Sequence, residues 1–315
     1  MEAPVIISLP QTNVSAILKT LQKTREEGGA VALGRVMTLV IATSEGKTER
    51  VIDAANEASR EHPMRIIVIT EISEKETDLD AEIRLGGDAG ASEVIILNVG
   101  TTLAKDPQGL INGLLLPDAP MVAWWPDNAP IMMAETPLGR IAEHRIADTI
   151  NSTSPVELLR TLADSYTPGD VDLGWTRITQ WRALLAATLD SNSYKSVNSA
   201  RVVGASDNSA PILLAAWLRS ELGVKVEIDF HPKSKLGNIL LAEMVCDTGS
   251  IVLERTEPGF AKLSQPGQPV HNISLPLRGL GDCLAEELRR LDEDVVFGRV
   301  LKDGISRLIE EKVVL

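Results

Sequence analysis

The sequence of 315 residues predicts an α/β protein with two α/β-type domains. We expect a mainly parallel sheet in the first domain, and a mixed sheet with C-terminal helices in the second. The first half contains continuously apolar stretches, which are typical of strands covered on both faces, as in parallel sheets. A helical periodicity between the first two stretches predicts a strand–helix–strand crossover. The second half contains short, closely spaced strands with Gly/Pro turns, which are typical of an antiparallel meander.

The elements of the first half follow from the spacing of apolar side chains. An amphipathic helix precedes the turn Gly28-Gly29, and its apolar residues recur at helical spacing: Val14, Ile17, Leu18 and Leu21. The continuously apolar strands cover four ranges: 36–43, 65–70, 93–99 and 119–125. A helix over residues 51–58 connects the first two strands. Residues 81–85 alternate between apolar and polar side chains, which predicts an edge strand.

A stretch rich in Ser, Thr, Pro and Gly separates the two halves, from Asn151 to Asp170. We therefore predict a first domain over residues 1–165 and a second over residues 166–315. The predicted elements of the second domain are a helix from Asp172 to Leu189, a strand–helix–strand unit over 200–230, short strands over 238–275, and two terminal helices.

Composition excludes several classes of protein. The formal net charge is −13, from 31 Lys and Arg against 44 Asp and Glu, which disfavours binding to nucleic acid or to an anionic membrane. No apolar run approaches the roughly 20 residues of a membrane span, and the N-terminus lacks the features of a signal peptide. We expect a cytoplasmic protein in which Cys246 and Cys283 are buried, structural and reduced.

The sequence contains no strong motif for catalysis or for ligand binding. The Gly-rich segment 85–92 lacks the spacing of a phosphate-binding loop, and the four histidines lack metal-ligand spacing. The loop from Ser206 to Ser209 lies between a strand and a helix, where α/β folds bind anions, although Ser209 is more simply an N-cap. We expect no catalytic residue, no cofactor and no metal site. A degenerate enzyme, or a sensor of a sugar phosphate or nucleotide, at this loop remains an alternative.

Seven segments of the chain are similar in sequence to a known bacterial family. Their ranges are 25–41 (REEGGAVALGRVMTLVI), 54–69 (AANEASREHPMRIIVI), 84–97 (RLGGDAGASEVIIL), 114–126 (LLLPDAPMVAWWP), 172–190 (DLGWTRITQWRALLAATLD), 263–269 (LSQPGQP) and 283–301 (CLAEELRRLDEDVVFGRVL). Together they resemble the glucose-6-phosphate dehydrogenase assembly protein OpcA family. The resemblance implies a non-catalytic assembly factor and allosteric activator, which binds the dehydrogenase of the oxidative pentose phosphate pathway and favours its active oligomer or conformation. A scaffold for a different partner remains open.

Some residues in these segments are surface or turn types, which core packing explains poorly. We expect them to contact the partner enzyme. The predicted interface residues are Trp124, Trp125, Pro126, Arg60, His62, Gln265, Pro266, Gly267 and Gln268. A simple hairpin constraint is an equal explanation for the last four.

Overall fold

The computed structural model describes residues 5–27, 34–72, 79–85, 93–151, 154–190, 196–232 and 234–313. The predicted Gly28-Gly29 turn and most of the Gly-rich segment 85–92 lie outside these ranges. The chain forms two compact units that interleave in sequence. The first contains Met1–Asp148, Gly169–Val171 and Gly279–Glu293; the second contains Thr149–Pro168, Asp172–Arg278 and Asp294–Leu315. The division between residues 165 and 166 stays a prediction.

Strands and helices are numbered in chain order. The strands are β1 (Val5–Leu9), β2 (Met37–Thr43), β3 (Met64–Glu71), β4 (Leu79–Leu85), β5 (Glu93–Val99), β6 (Met121–Trp125), β7 (His144–Ala147), β8 (Asp170–Asp172), β9 (Val197–Ala205), β10 (Lys225–His231), β11 (Ile239–Cys246), β12 (Gly249–Glu257), β13 (Gly259–Ser264) and β14 (His271–Leu275). The helices are α1 (Val14–Glu27), α2 (Thr48–Ser59), α3 (Thr101–Lys105), α4 (Gln108–Asn112), α5 (Pro137–Ile141), α6 (Pro155–Ser165), α7 (Leu173–Arg177), α8 (Thr179–Asp190), α9 (Ala210–Leu222), α10 (Leu280–Glu287), α11 (Val295–Arg299) and α12 (Ser306–Glu310).

The sheet of the first unit has the strand order β1-β4-β5-β3-β2-β6-β7-β8. Strands β5, β3, β2, β6 and β7 pair in parallel, whereas β4 pairs antiparallel with β1 and β5. The predicted mainly parallel sheet is therefore confirmed. The continuously apolar strands β2, β3 and β5 are almost wholly buried, as the absence of alternation indicates.

The prediction that residues 81–85 form an edge strand was wrong. Strand β1 pairs with β4 along its length, from Val5 opposite Leu85 to Leu9 opposite Ala81, and occupies the edge instead. Alternation in β4 reflects a strand whose faces differ in burial, with Ala81 and Ile83 buried and their neighbours half-buried. Alternating burial arises both in an edge strand and in the strand next to the edge, so this pattern does not distinguish the two positions.

The sheet of the second unit has the order β10-β9-β11-β12-β13-β14. Strands β9 and β10 are parallel and are joined by α9, while the remaining neighbours are antiparallel, which confirms the predicted mixed sheet. Helix α9 is apolar on most sides and its buried residues contribute to the core of this unit. A π-helical turn, Val300–Ile305, connects α11 and α12 and packs against α9.

The helix predicted from Asp172 to Leu189 is two helices. The Asp172 carboxylate accepts a hydrogen bond from the Gly174 N–H and caps α7. Helix α7 ends at Arg177, and the ψ of 4° at the following residue, Ile178, departs from helical geometry. Helix α8 then begins at Thr179. Within the described ranges, no helix is both long and apolar enough to cross a bilayer.

Candidate functional site

The tryptophan pair at the end of β6 is buried within the first unit. Trp124 has no exposed surface, and its indole Nε1 has no hydrogen-bond partner. Trp125 and Pro126 are also buried, and Trp125 lines a small cleft. As placed, these three residues offer almost no surface to another protein. Their role in a partner interface stays a prediction.

Arg60 and His62 lie in the turn after α2, beside α10 of the same unit. The His62 Nε2 atom is 3.0 Å from the Ala285 carbonyl oxygen, so an Nε2–H group can donate a hydrogen bond to α10. Glu61 pairs with Arg289 at 2.7 Å, and the hydrogen bond from this guanidinium lowers the pKa of the Glu61 carboxyl. His62 is therefore half-buried against α10, whereas Arg60 is exposed.

The sequence Gln265-Pro266-Gly267-Gln268 forms the turn between β13 and β14 in the second unit. The Gln268 N–H donates to the Gln265 carbonyl at 3.2 Å, and Gly267 has a φ of +72°, which favours glycine. Turn geometry therefore accounts for Gly267 without a partner. Gly267 and Gln268 are exposed, while Gln265 and Pro266 are half-buried.

A cleft of about 200 Å³ opens at the carboxyl ends of β2, β3 and β6 in the first unit. The Thr43 hydroxyl donates to the Asp127 carboxylate at 2.9 Å, and the Lys47 Nζ pairs with the same carboxylate at 2.9 Å. Carboxyl ends of parallel strands are where α/β folds bind ligands. Asp127 was not predicted as a site residue, although a carboxylate two positions after the end of a buried strand is a usable signal.

The loop after β9 is built around a hydroxyl network in the second unit. The Ser209 Oγ is fully buried and lies 2.6 Å from the Thr149 Oγ1, which donates to Asp172 at 2.5 Å. Ser209 is the N-cap residue of α9, as predicted, but its side chain makes no capping hydrogen bond, and the Asn208 side chain accepts from the Ala210 N–H instead. The Ser209 hydroxyl is thus committed to internal contacts that link three separated segments of this unit.

The possible metal ligands and the two cysteines give no sign of a metal or redox site among the described residues. Among the described residues, no group of three or more His, Cys, Asp or Glu side chains is arranged to hold a metal ion. Both cysteines are unbridged and buried, and burial raises the pKa of the Cys246 thiol.

Solved structures similar to this chain include oxidoreductases. Levoglucosan dehydrogenase in complex with NADH and levoglucosan has a TM-score of 0.50 and 12% identity, covering 88% of this chain and 97% of its own. A mutant of KijD10, a 3-ketoreductase from Actinomadura kijaniata, in complex with TDP-benzene and NADP, has a TM-score of 0.49 and 12% identity, with coverages of 87% and 96%. Biliverdin reductase from Synechocystis sp. PCC 6803 has a TM-score of 0.46 and 12% identity, with coverages of 87% and 98%. At this identity, the likeness to levoglucosan dehydrogenase concerns the fold alone.

A nicotinamide dinucleotide, which such folds often bind, does not fit the cleft beside β2. Its pyrophosphate requires a glycine-rich turn that brings backbone N–H groups close. The turn after β2 is Ser44-Glu45-Gly46-Lys47, with a single glycine, and its lysine is already paired with Asp127. The buried Asp127 carboxylate and the nearby Glu71 would repel the phosphates.

Comparison with curated proteins gives no match. Two family models match the chain in succession. Residues 55–164 match the N-terminal domain of the glucose-6-phosphate dehydrogenase subunit OpcA, and residues 168–301 match its C-terminal domain. The matched ranges contain most of both units and agree with the resemblance found in the sequence. The chain therefore belongs to the OpcA family of glucose-6-phosphate dehydrogenase subunits.

Proposed function

We propose that this chain is a non-catalytic partner of glucose-6-phosphate dehydrogenase, the first enzyme of the oxidative pentose phosphate pathway. It binds the dehydrogenase and favours the active oligomer or conformation of that enzyme. The observation that carries this proposal is the match to both domains of the OpcA subunit, over residues 55–164 and 168–301. The proposal includes a cytoplasmic setting, because the partner is a metabolic enzyme.

The absence of catalysis is part of the proposal, and the cleft in the first unit supports it. The side chains of Thr43 and Lys47 both donate to the Asp127 carboxylate at this cleft. A general base must reach the substrate, whereas the Asp127 carboxylate is 3% exposed and already accepts from Thr43 and Lys47. The hydroxyl of Ser209, which the enzyme alternative would use, is likewise committed within the second unit.

Activation would follow from linkage. A protein that binds one conformation or oligomer of an enzyme more tightly than another shifts the population towards it. A coupling free energy of about 1–3 kcal/mol changes the affinity for the sugar phosphate about 5–150-fold. The net charge of −13 favours a dehydrogenase surface with basic patches, because complementary charge speeds encounter.

Two exposed positions among the predicted interface residues are the best places to perturb the contact. Arg60 follows α2 in the first unit, and Gln268 lies at the tip of the β13–β14 hairpin in the second. Both side chains lie on the surface, so substitution there leaves the core intact. The buried Trp124, Trp125 and Pro126 would support the contact from within the first unit.

Steady-state kinetics test the proposal. The dehydrogenase is assayed over a range of glucose 6-phosphate concentrations, with and without saturating purified chain. We expect a lower KM or a larger oligomer in the mixture, and no dehydrogenase activity from the chain alone. Arg60→Glu should weaken the effect, while the matched charge reversal Lys105→Glu, on exposed Lys105 of α3, should not. Equal kinetics and equal oligomer size in the two samples would contradict the proposal.

A further inference from the structure

The second unit contains a cavity with an unusual charge for this acidic protein. It has a volume of about 310 Å³ and lies between the α7–α8 junction, the turn after β10, β12 and the segment after β14. Four cationic side chains line it: Arg177, Lys235, Arg255 and Arg278. Among the described residues, none that lines the cavity is acidic. The cavity therefore concentrates positive charge within a chain of net charge −13.

The main feature of this cavity is the buried charge of Arg255. Arg255 is 6% exposed, and its Nη1 donates to the Leu275 carbonyl oxygen at 2.6 Å, while its buried Nε has no hydrogen-bond partner. Within the described part of the chain, no carboxylate forms an ion pair with it. Burial alone lowers the pKa of Arg255, yet a guanidinium stays protonated at neutral pH. A buried charge without a counter-ion is unfavourable, and an anion in the cavity would relieve this.

The surroundings of Arg255 hold its guanidinium at the cavity. Its Cζ lies 5.6 Å from the centre of the Trp181 ring, which supports the planar group by a cation–π contact. Gly237, with a φ of +138°, brings the turn after β10 close to it, since a Cβ there would lie 3.3 Å from the Arg255 Nε. This close approach of backbone brings the exposed Lys235 of the same turn to the rim.

We propose that this cavity binds a small phosphate-bearing anion, of the class of a phosphate monoester. A phosphate dianion matches several cations better than a single carboxylate does, and guanidinium groups bind phosphate through two parallel N–H donors. The volume is at the lower end of that of small-molecule sites, which suits a phosphorylated metabolite of a few carbons. The N-terminal end of α9, at Ala210, also borders the cavity and adds its partial positive charge.

Isothermal titration calorimetry on the full chain alone tests this proposal, so the outcome does not depend on whether the dehydrogenase binds. Inorganic phosphate and glucose 6-phosphate are the probes, in a phosphate-free buffer of low ionic strength, and glucose is the uncharged control. We expect saturable binding of one equivalent of phosphate or of glucose 6-phosphate, and none of glucose. Tighter binding of glucose 6-phosphate than of phosphate would indicate that the walls also contact the sugar, which supports the monoester class.

Two variants assign the binding to this cavity. Lys235→Gln, at the exposed rim, and Arg255→Gln, in the interior, should each weaken binding at least about 10-fold, as loss of a charged hydrogen-bond donor does. Lys262→Gln, on exposed Lys262 of β13, is the matched control and should bind as the unmodified chain does. The rim variant keeps the test decisive if Arg255→Gln does not fold.

Two results would overturn the proposal. The first is no saturable binding of either phosphorylated probe to the unmodified chain. The second is binding that is unchanged in Lys235→Gln. If the first result is accompanied by loss of dehydrogenase binding in Lys235→Gln, the cavity receives an acidic side chain of the partner instead.

Discussion

The carboxylate of Glu93, at the start of β5, is a buried charge of the first unit. It is 0% exposed and pairs with three arginines. The Arg65 Nε lies 2.8 Å away and the Arg35 Nη2 lies 3.0 Å away, and Arg25 also donates to it. Burial lowers the pKa of Arg65, and Glu93 opposes this shift. We expect this carboxylate to be essential to the stability of the first unit.

Replacement of Glu93 by Gln keeps the shape of the side chain and removes its charge. Arg65, itself 4% exposed, would then keep a buried charge without a counter-ion. Breaking a buried ion pair in this way costs about 3–5 kcal/mol. For a unit of this size, such a loss lowers the midpoint of thermal unfolding by about 6–20 °C.

Thermal unfolding followed by circular dichroism measures this change, and hydrogen exchange of the β3 and β5 amides reports on the first unit separately. The control is Glu49→Gln, whose carboxylate is 68% exposed although it pairs with Arg84 at 2.7 Å. An exposed pair of this kind contributes about 0.2–1 kcal/mol. A loss in Glu93→Gln no greater than that in the control would refute the reasoning.

Three further predictions concern packing, thiols and pH. Gly304→Ala should lower the free energy of unfolding by about 1–3 kcal/mol, because its Cβ would lie 2.4 Å from a carbonyl oxygen of α9. Gly109→Ala, with nothing within 4 Å, should cost nothing, and equal losses would contradict the packing argument. A thiol reagent should modify neither Cys246 nor Cys283 until urea unfolds the chain, since both are buried; rapid labelling in native buffer would contradict this. The hydrogen bond from Arg84 lowers the pKa of the Glu49 carboxyl from 4.5 in the folded state. The ionised carboxylate therefore stabilises the fold fully above pH 4.5, and this stabilisation is lost as the pH falls through the lower folded-state pKa. The unmodified chain should therefore lose more stability on acidification than Glu49→Gln, and identical pH profiles would contradict this.

The pattern of apolar residues was sufficient to predict most of the parallel strands in the sheet of the first unit. Strands β2, β3, β5 and β6 are continuously apolar, and their burial on both faces is what that pattern requires. The short strands β7 and β8 escaped detection because they bury charged side chains. Arg145 and Asp170, for example, pair at 2.5 Å across these two strands, which no local pattern reveals.

The charged cavity was also missed, yet its central residue had a signal in the sequence. In β12, Ile251, Leu253 and Arg255 occupy alternate positions on the buried face. An arginine at an inward position of an alternating strand is a buried charge by periodicity alone. Its lack of a carboxylate partner was not predictable, because the partners in space come from distant segments. By contrast, the burial of Trp124 is what its position in the continuously apolar strand β6 requires.

Sedimentation velocity on a mixture of the purified chain and its cognate glucose-6-phosphate dehydrogenase tests the central claim most directly. The dehydrogenase is labelled with a fluorophore, and the chain is titrated across a range of concentrations at physiological ionic strength. We expect the labelled species to shift to a faster-sedimenting complex that saturates at a fixed ratio of the two proteins. A sedimentation profile of the dehydrogenase that stays unchanged at every concentration of the chain would contradict the account.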